Sequence, residues 1–254
     1  MYVACSTLCF GRRTLEDALQ VISELHFSKF DVAIHEGGRH LRPSEVLADV
    51  AQAAARLRFG PGLTACAISA EIEVATEDEF AQQLKAICRL ARLALVPLVT
   101  IAAAPSGSDR NAEAKRLARL NHLAESDGVV LSVDTRTGTL TEDPDLAVWL
   151  CERVPGLGLT LDPSHYITGP AQNKNHDHVF PFVRHVHLRD TGRGANQFQV
   201  RVGQGEIEYG RVVTLLERQD YERALTVDIR DIPDAAFAME PEVRKLKYLL
   251  ESLV

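Results

Sequence analysis

Four side chains of the kinds that bind divalent metal ions stand at the ends of four successive apolar runs in the second half of the chain. They are Asp134, Asp162, His187 and Asp228. If the runs are parallel strands, their carboxyl ends bring three carboxylates and one imidazole onto one rim. This donor set predicts a site for one divalent metal ion. It favours Mn²⁺, Mg²⁺ or Co²⁺, and Zn²⁺ is also compatible with it.

Two local patterns support a polar pocket at this rim. Each of the three aspartates follows a hydroxyl-bearing residue two positions earlier, at Ser132, Thr160 and Thr226, which predicts a hydroxyl layer beneath the carboxylates. Period-two alternation places His185, His187 and Arg189 on one face of a strand. Buried acids on one rim need a counter-charge, and a metal ion supplies it.

The motif Asp162-Pro163-Ser164-His165 places an acid at a strand end and an imidazole three residues later. From one turn, both side chains can face the same pocket. Asp-Pro-Ser is also common in ordinary turns and helix caps, so the motif alone leaves both interpretations open.

The elements that would position these side chains alternate along the whole chain. Eight short apolar strands are predicted at Tyr2 to Ser6, Phe30 to His35, Leu63 to Ser69, Leu98 to Ala102, Val129 to Asp134, Gly158 to Asp162, Val183 to Leu188 and Ala224 to Ile229. Helices are predicted at Leu15 to Leu25, Ser44 to Arg58, Glu77 to Leu95, Asn111 to Ser126, Pro144 to Val154, Tyr209 to Arg218 and Pro241 to Leu253, with an ambiguous stretch near Val179.

Eight β-α pairs in 254 residues predict a single (β/α)8 TIM barrel, an α/β fold, spanning residues 1–254. A doubly wound open sheet is the alternative. Against it, the sequence has neither a G-x-G-x-x-G after the first strand nor a G-x-x-x-x-G-K-[ST] anywhere.

Composition narrows the partners. The formal charge of -7, without a basic stripe, argues against nucleic acid. The longest apolar tract, Leu90 to Ala104, is broken by Arg92 and Pro97, so no membrane span is expected. Five cysteines without a C-x-x-C pair predict buried, reduced thiols and a cytoplasmic protein. A homo-oligomer is left open.

Nearly the whole chain, and best of all Val129 to Ile229, resembles the sugar phosphate isomerase/epimerase group of xylose isomerase-like β/α barrels. That group includes ketose 3-epimerases and endonuclease IV. Its metal ligands are an acid at the fifth strand, an acid in D-x-x-H after the sixth, a histidine in H-x-H-x-[KR]-D and an acid at the eighth. The matching residues here, in order, are Asp134, Asp162, His187 and Asp228.

The resemblance also implies substrate contacts. His165 would contact a substrate oxygen, and Arg193 would match a substrate-binding arginine of the ketose epimerases. Asp134 and Asp228 stand where the epimerases usually have glutamates that transfer protons on opposite substrate faces. Each is shorter by one methylene, about 1.5 Å. The metal site tolerates this change more easily than the proton transfer does.

The resemblance implies a divalent-metal-dependent isomerase or epimerase of a small sugar, sugar phosphate or polyol derivative, acting through an enediolate-type proton transfer. Four arginines just past strand ends would suit an anionic group or simply be solvated: Arg136, Arg189, Arg193 and Arg230. A sugar-binding barrel without turnover, or with altered chemistry, is the alternative. An endonuclease IV-like phosphodiesterase is disfavoured, because segment 196–201 lacks the Asp-x-His pair.

Overall fold

In the computed structural model, eight parallel strands close into a barrel in chain order from β1 to β8. The model describes residues 1–58, 62–172, 174–194, 197–233 and 237–254, so position 196 of the segment compared with endonuclease IV lies outside them. The strands are β1 (Tyr2–Ser6), β2 (Lys29–His35), β3 (Thr64–Glu71), β4 (Leu98–Ile101), β5 (Val130–Asp134), β6 (Gly158–Leu161), β7 (Val183–Leu188) and β8 (Ala224–Val227). The predicted (β/α)8 barrel is confirmed.

Helices surround the barrel between successive strands. Within the described residues they are α1 (Leu15–Glu24), α2 (Pro43–Ala48), α3 (Val50–Arg56), α4 (Glu77–Ala94), α5 (Arg110–Ser126), α6 (Pro144–Arg153), α7 (Ser164–Thr168), α8 (Tyr209–Glu217) and α9 (Met239–Glu251). Short 3-10 helices cover Thr7–Phe10, Leu140–Glu142 and Asp177–Phe182. The stretch near Val179 that the sequence left ambiguous is the last of these.

One predicted helix differs from the structure. The stretch Ser44 to Arg58 forms two helices, because the backbone of Asp49 is extended, with φ -151° and ψ 92°. The Asp49 side chain accepts a hydrogen bond from the Gln52 amide at 2.9 Å and thereby caps α3. Apolar periodicity continues across this break, so the pattern alone could not reveal it.

Helix α4 shows how the sequence fixes an outer element. Thr76 and Glu79 form a capping box at its start. Its inner face buries Leu84, Ile87 and Leu90 against the strands. Burying one such side chain contributes about 1.5–3 kcal/mol, so this apolar face, more than helix propensity, holds α4 on the barrel.

The barrel interior contains the predicted hydroxyl layer. The hydroxyls of Thr100, Ser132 and Thr160 lie 2.7–2.9 Å from one another, and all three residues are buried. Each hydroxyl can donate to one neighbour and accept from the other, so the triangle closes on itself. Thr226, expected in the same layer, instead lies 3.2 Å from Nε2 of His185.

The five cysteines are free and buried, as the sequence predicted. In the described part of the chain, no helix has both the length and the apolar character needed to cross a membrane. The cytoplasmic location stays a prediction.

Candidate metal and substrate site at the barrel rim

The four predicted metal ligands, here called the rim set, all lie at the carboxyl ends of their strands. Asp134 is the last residue of β5, His187 is the penultimate residue of β7, and Asp162 and Asp228 directly follow β6 and β8. Burial lowers the pKa of His187, but the charges of Asp228, Asp31 and Asp134 outweigh it and raise that pKa to about 9. The metal-free protein therefore carries an imidazolium among these acids at neutral pH.

Asp162 is fully supplied with donors by the protein. Its Oδ1 accepts from the Ser164 amide at 3.0 Å and the Ser164 hydroxyl at 2.6 Å, and its Oδ2 accepts from Arg189 at 2.7 Å. Burial raises the pKa of Asp162, but the Arg189 guanidinium leads several contacts that lower it to about 2. Asp162 is thus a fixed, ionised carboxylate.

His165, the predicted substrate contact, is tied to the same arrangement. Its Nε2 lies 3.1 Å from a guanidinium nitrogen of Arg189, and its Nδ1 lies 3.2 Å from the Thr137 hydroxyl. Arg189 only donates, and the Thr137 amide donates to Nδ1 at 3.3 Å, so a donor faces each ring nitrogen and the ring is neutral rather than doubly protonated. Burial accordingly lowers the pKa of His165 to about 4. A substrate oxygen would have to replace one of these two partners.

Asp228 contrasts with Asp162, because both its carboxylate oxygens are buried without a hydrogen bond to any described residue. The residue is only 1% exposed, and Nε of Arg230, at 3.4 Å, is its ion-pair partner. A buried carboxylate without donors is costly unless a cation approaches it. These free oxygens, beside two more acids and a histidine, fit a hard divalent ion.

Asp134 completes the acidic rim and is partly exposed. Desolvation raises its pKa to about 6, although the charges of His187, Arg136 and Arg230 act in the opposite direction. Near neutral pH both the ionised and the protonated form of this carboxyl are therefore populated.

A residue that the sequence analysis missed lies beneath the rim. Asp31 on β2 is completely buried, and its Oδ2 is 3.0 Å from Nε2 of His185 and 2.7 Å from Nε2 of His187. The available signal was an acid inside the apolar run Phe30-Asp31-Val32.

Asp31, His185 and His187 are called the inner cluster here. Their ligand atoms all lie within 4.8 Å of one another, so this buried group could also bind a metal ion. His187 belongs to both sets.

The four rim arginines separate into different environments. Arg189 is buried on Asp162, whereas Arg136 pairs with Glu71 at 3.0 Å and Arg230 lies against Asp228. Arg193 is 79% exposed and pairs with Glu206. It lines a groove of about 470 Å³ beside α7 and α8. The role of Arg193 in substrate binding stays a prediction.

The segment Gly203 to Tyr209 is organised by one carboxylate. Asp190, which is 2% exposed, accepts hydrogen bonds from the amides of Gly203, Gly205 and Ile207. A side chain at Gly205 would collide with Asp190, since its Cβ would lie 2.2 Å from Oδ1. Asp190, the last residue of the H-x-H-x-[KR]-D segment, therefore fixes the conformation of this glycine-containing loop.

Comparison with protein families adds to this geometry. The family model described as xylose isomerase-like TIM barrel matches residues 10–249. The chain belongs to that family. Its comparison with curated proteins gives no match.

Several solved structures share the fold of this chain at low sequence identity. A D-allulose 3-epimerase from Methylomonas sp. superposes with TM-score 0.77 at 13% identity, covering 100% of this chain and 98% of the other. An L-ribulose 3-epimerase gives 0.70 at 16%, with coverages of 100% and 96%. A xylose isomerase-like protein from Mycobacterium smegmatis, solved in complex with magnesium, gives 0.75 at 16%, with coverages of 100% and 98%.

Proposed function

We propose that this protein is a divalent-metal-dependent isomerase or epimerase of a small sugar, sugar phosphate or polyol derivative. The observation that carries the proposal is the buried Asp228 carboxylate, whose oxygens receive no hydrogen bond from any residue that the structure describes. It lies at the rim where the other three residues of the rim set stand at their strand ends. Family membership and the epimerases among its structural neighbours support the same activity.

The residues that would hold the ion are Asp134, Asp162, His187 and Asp228. When bound there, a divalent ion supplies positive charge that stabilises an enediolate-like oxygen anion on the substrate. Arg189 and Ser164 orient the Asp162 carboxylate, and Arg189 also keeps it ionised. The carboxylate of Asp162 is therefore ionised and held in one orientation at the rim.

Proton transfer is assigned to Asp134 and Asp228. They belong to β5 and β8, three strands apart around a ring of eight, so their carboxyl groups approach a central substrate from different sides. The pKa of Asp134, about 6, suits a group that removes a proton from carbon and returns it near neutral pH. Because both side chains are aspartates, the reacting carbon must lie closer to the strand ends than a glutamate would require.

The metal part of the proposal is tested by calorimetry and melting temperature after treatment with EDTA. Wild type is expected to bind Mn²⁺, Mg²⁺ or Co²⁺ and to melt at a higher temperature with the ion. Asp162→Asn and Asp228→Asn should each lose most of this shift, because a carboxylate ligand becomes a neutral amide. Asp220→Asn is the matched control, since Asp220 is exposed and its φ of 51° suits asparagine. A wild type that binds no divalent ion overturns the proposal.

The chemistry is tested by incubating the metal-loaded protein with a panel of ketoses, aldoses and their phosphates in D₂O. Deuterium on carbon, detected by NMR and lost in Asp134→Asn or Asp228→Asn, would support an isomerase or epimerase. Tight binding of a sugar without exchange would instead favour the alternative, a sugar-binding barrel without turnover.

A further inference from the structure

Two imidazoles meet at a single carboxylate oxygen inside the barrel. Oδ2 of Asp31 lies 2.7 Å from Nε2 of His187 and 3.0 Å from Nε2 of His185. The three residues are 0%, 6% and 2% exposed, in the order Asp31, His187, His185. An ionised carboxylate only accepts hydrogen bonds, so both Nε2 atoms carry a proton directed at it.

The carboxylate itself is held from a third side. The Ser69 hydroxyl on β3 lies 3.1 Å from Oδ1 and 3.0 Å from Oδ2 of Asp31. The pairing of β2 with β3 shifts by one residue between Phe30 and Asp31. This irregularity occurs directly at the acid, and such shifts commonly redirect a side chain next to a functional site.

His185 restrains the arrangement from below. Its ring stands at 87° to that of His187, with centroids 5.0 Å apart, and its Nε2 also lies 3.2 Å from the Thr226 hydroxyl. The Asp31 carboxylate therefore bridges two perpendicular rings whose positions depend on each other. Rotation of His187 about its side-chain torsions would break the 2.7 Å contact.

The second nitrogen of His187 has a different situation. Among the described residues, Nδ1 of His187 makes no hydrogen bond, although the residue is almost completely buried at the rim. A histidine that binds a metal ion through one nitrogen generally donates its other N–H to a carboxylate or carbonyl. His187 already makes this second contact, from its Nε2 to the Asp31 carboxylate.

We propose that Asp31 and His185 are positioning residues for His187. Asp31 fixes the proton on Nε2 and leaves Nδ1 as the nitrogen that binds the rim ion. His185 holds the Asp31 carboxylate in the rotamer that does this. The inference rests on the proposed function, because it concerns the imidazole of the rim set. It excludes the inner cluster as the resting place of the ion.

Metal affinity separates positioning from direct ligation. By calorimetry, Asp31→Asn is expected to bind Mn²⁺ about 10–100-fold more weakly than wild type, and His185→Gln less than about tenfold more weakly. Asp162→Asn should weaken binding more than either. If the inner cluster is the ion site, His185→Gln abolishes binding and Asp162→Asn leaves it unchanged, and that result overturns the inference.

A measurement on the wild type covers the case in which a variant fails to fold. Long-range ¹H–¹⁵N NMR of histidine-labelled protein should show a proton on Nε2 of both His185 and His187 in the metal-free state. Addition of diamagnetic Zn²⁺ should move the Nδ1 resonance of His187 and leave its Nε2 protonated. Loss of the Nε2 proton on Zn²⁺ binding would overturn the inference.

The two proposals fail in different ways. If wild type binds no divalent ion, the proposed function is wrong, but a metal-free spectrum recorded above pH 9, where His187 carries a single proton, still shows whether that proton lies on Nε2. If the ion binds and sugars exchange deuterium while Asp31→Asn keeps wild-type affinity, the function stands and the positioning role is wrong.

Discussion

Asp162 and Asp228 occupy equivalent places, each directly after a strand of the same barrel, yet their surroundings are opposite. Asp162 receives three hydrogen bonds from Ser164 and Arg189. Asp228 is more deeply buried and receives none for either oxygen from the described residues. The side-chain type and the position in the fold are the same, so the difference comes from the neighbours alone.

The difference shows on which side of the rim the protein itself supplies the hydrogen-bond and charge partners of the acid; that side is called complete here. On the side of β6 and β7, Arg189 neutralises the acid and fixes its geometry. On the side of β8 and β5, Asp228 has no hydrogen-bond donor among the described residues, and desolvation raises the pKa of Asp134 to about 6. Deviations from full satisfaction of polar groups concentrate where a protein functions. The unfinished side is therefore where a cation and a substrate are expected.

The largest loss of stability is expected when the Arg189–Asp162 ion pair, on the complete side, is removed. Arg189→Met would leave the buried Asp162 carboxylate without its cation and should lower the free energy of unfolding by about 3–5 kcal/mol. Urea unfolding in EDTA measures it. Arg211→Met is the control, because Arg211 pairs with Asp177 at 2.6 Å but with half-exposed side chains, and should cost less than about 1 kcal/mol. Equal losses in the two variants would contradict the comparison.

Asp134 and Asp162 should also make the stability of the metal-free protein depend on pH in opposite directions. Asp134 has its pKa raised from 3.8 to about 6, so the folded state holds that proton more tightly and stability falls as pH rises from about 4 to 6. Asp162 has its pKa lowered to about 2, so its contribution is present above pH 4 and is lost as pH falls through 2.

Asp134→Asn tests this opposition. At pH 7 in EDTA the variant should be more stable than wild type by about 1–2 kcal/mol, and the fall between pH 4 and 6 should disappear. Asp162→Asn should be less stable than wild type at pH 7. Urea unfolding at half-unit pH intervals measures both profiles. If Asp134→Asn destabilises the metal-free protein at pH 7, burial of the ionised Asp134 carboxylate does not lower stability, and the expected contrast with Asp162 is wrong.

The smallest effect is expected in the hydroxyl layer below both sides. Thr160→Val removes one corner of the Thr100–Ser132–Thr160 triangle but leaves the 2.9 Å contact between the other two. The expected loss is about 1 kcal/mol, with metal affinity unchanged. Thr160→Ser, which keeps the hydroxyl, serves as the control for lost packing. A change in metal affinity for Thr160→Val alone would show that the layer supports the rim ligands directly.

Most of the fold could be predicted from the sequence because each strand is a short apolar run followed by an amphipathic helix. The same pattern located the rim set, since strand carboxyl ends are recognisable as the point where apolar residues give way to Asp or His. The break at Asp49 and the short helix α7 were missed. Both depend on local capping and turn geometry that leave the apolar periodicity unchanged.

The inner cluster could not be predicted for a different reason. Asp31 and His187 are 156 positions apart in the chain, and they meet only because the closed barrel turns both side chains into its interior. Strand periodicity tells which face a residue occupies but not which distant residue shares it. The sequence likewise does not show the ion-pair partners of Arg189 and Arg193, because both arginines follow β7 in the chain and pair with acids from other segments.

The anchoring of segment Gly203 to Ile207 on Asp190 has a consequence for evolution. The chain leaves β7 at Leu188, passes through Asp190, and later returns to the Asp190 carboxylate through the amides of Gly203, Gly205 and Ile207. Both ends of the loop after β7 are therefore attached at one residue, so we expect substitutions between these ends to leave the register of the barrel strands unchanged. Proteins of this fold could therefore diverge by exchanging this loop while the strand ends that carry the rim set stay unchanged.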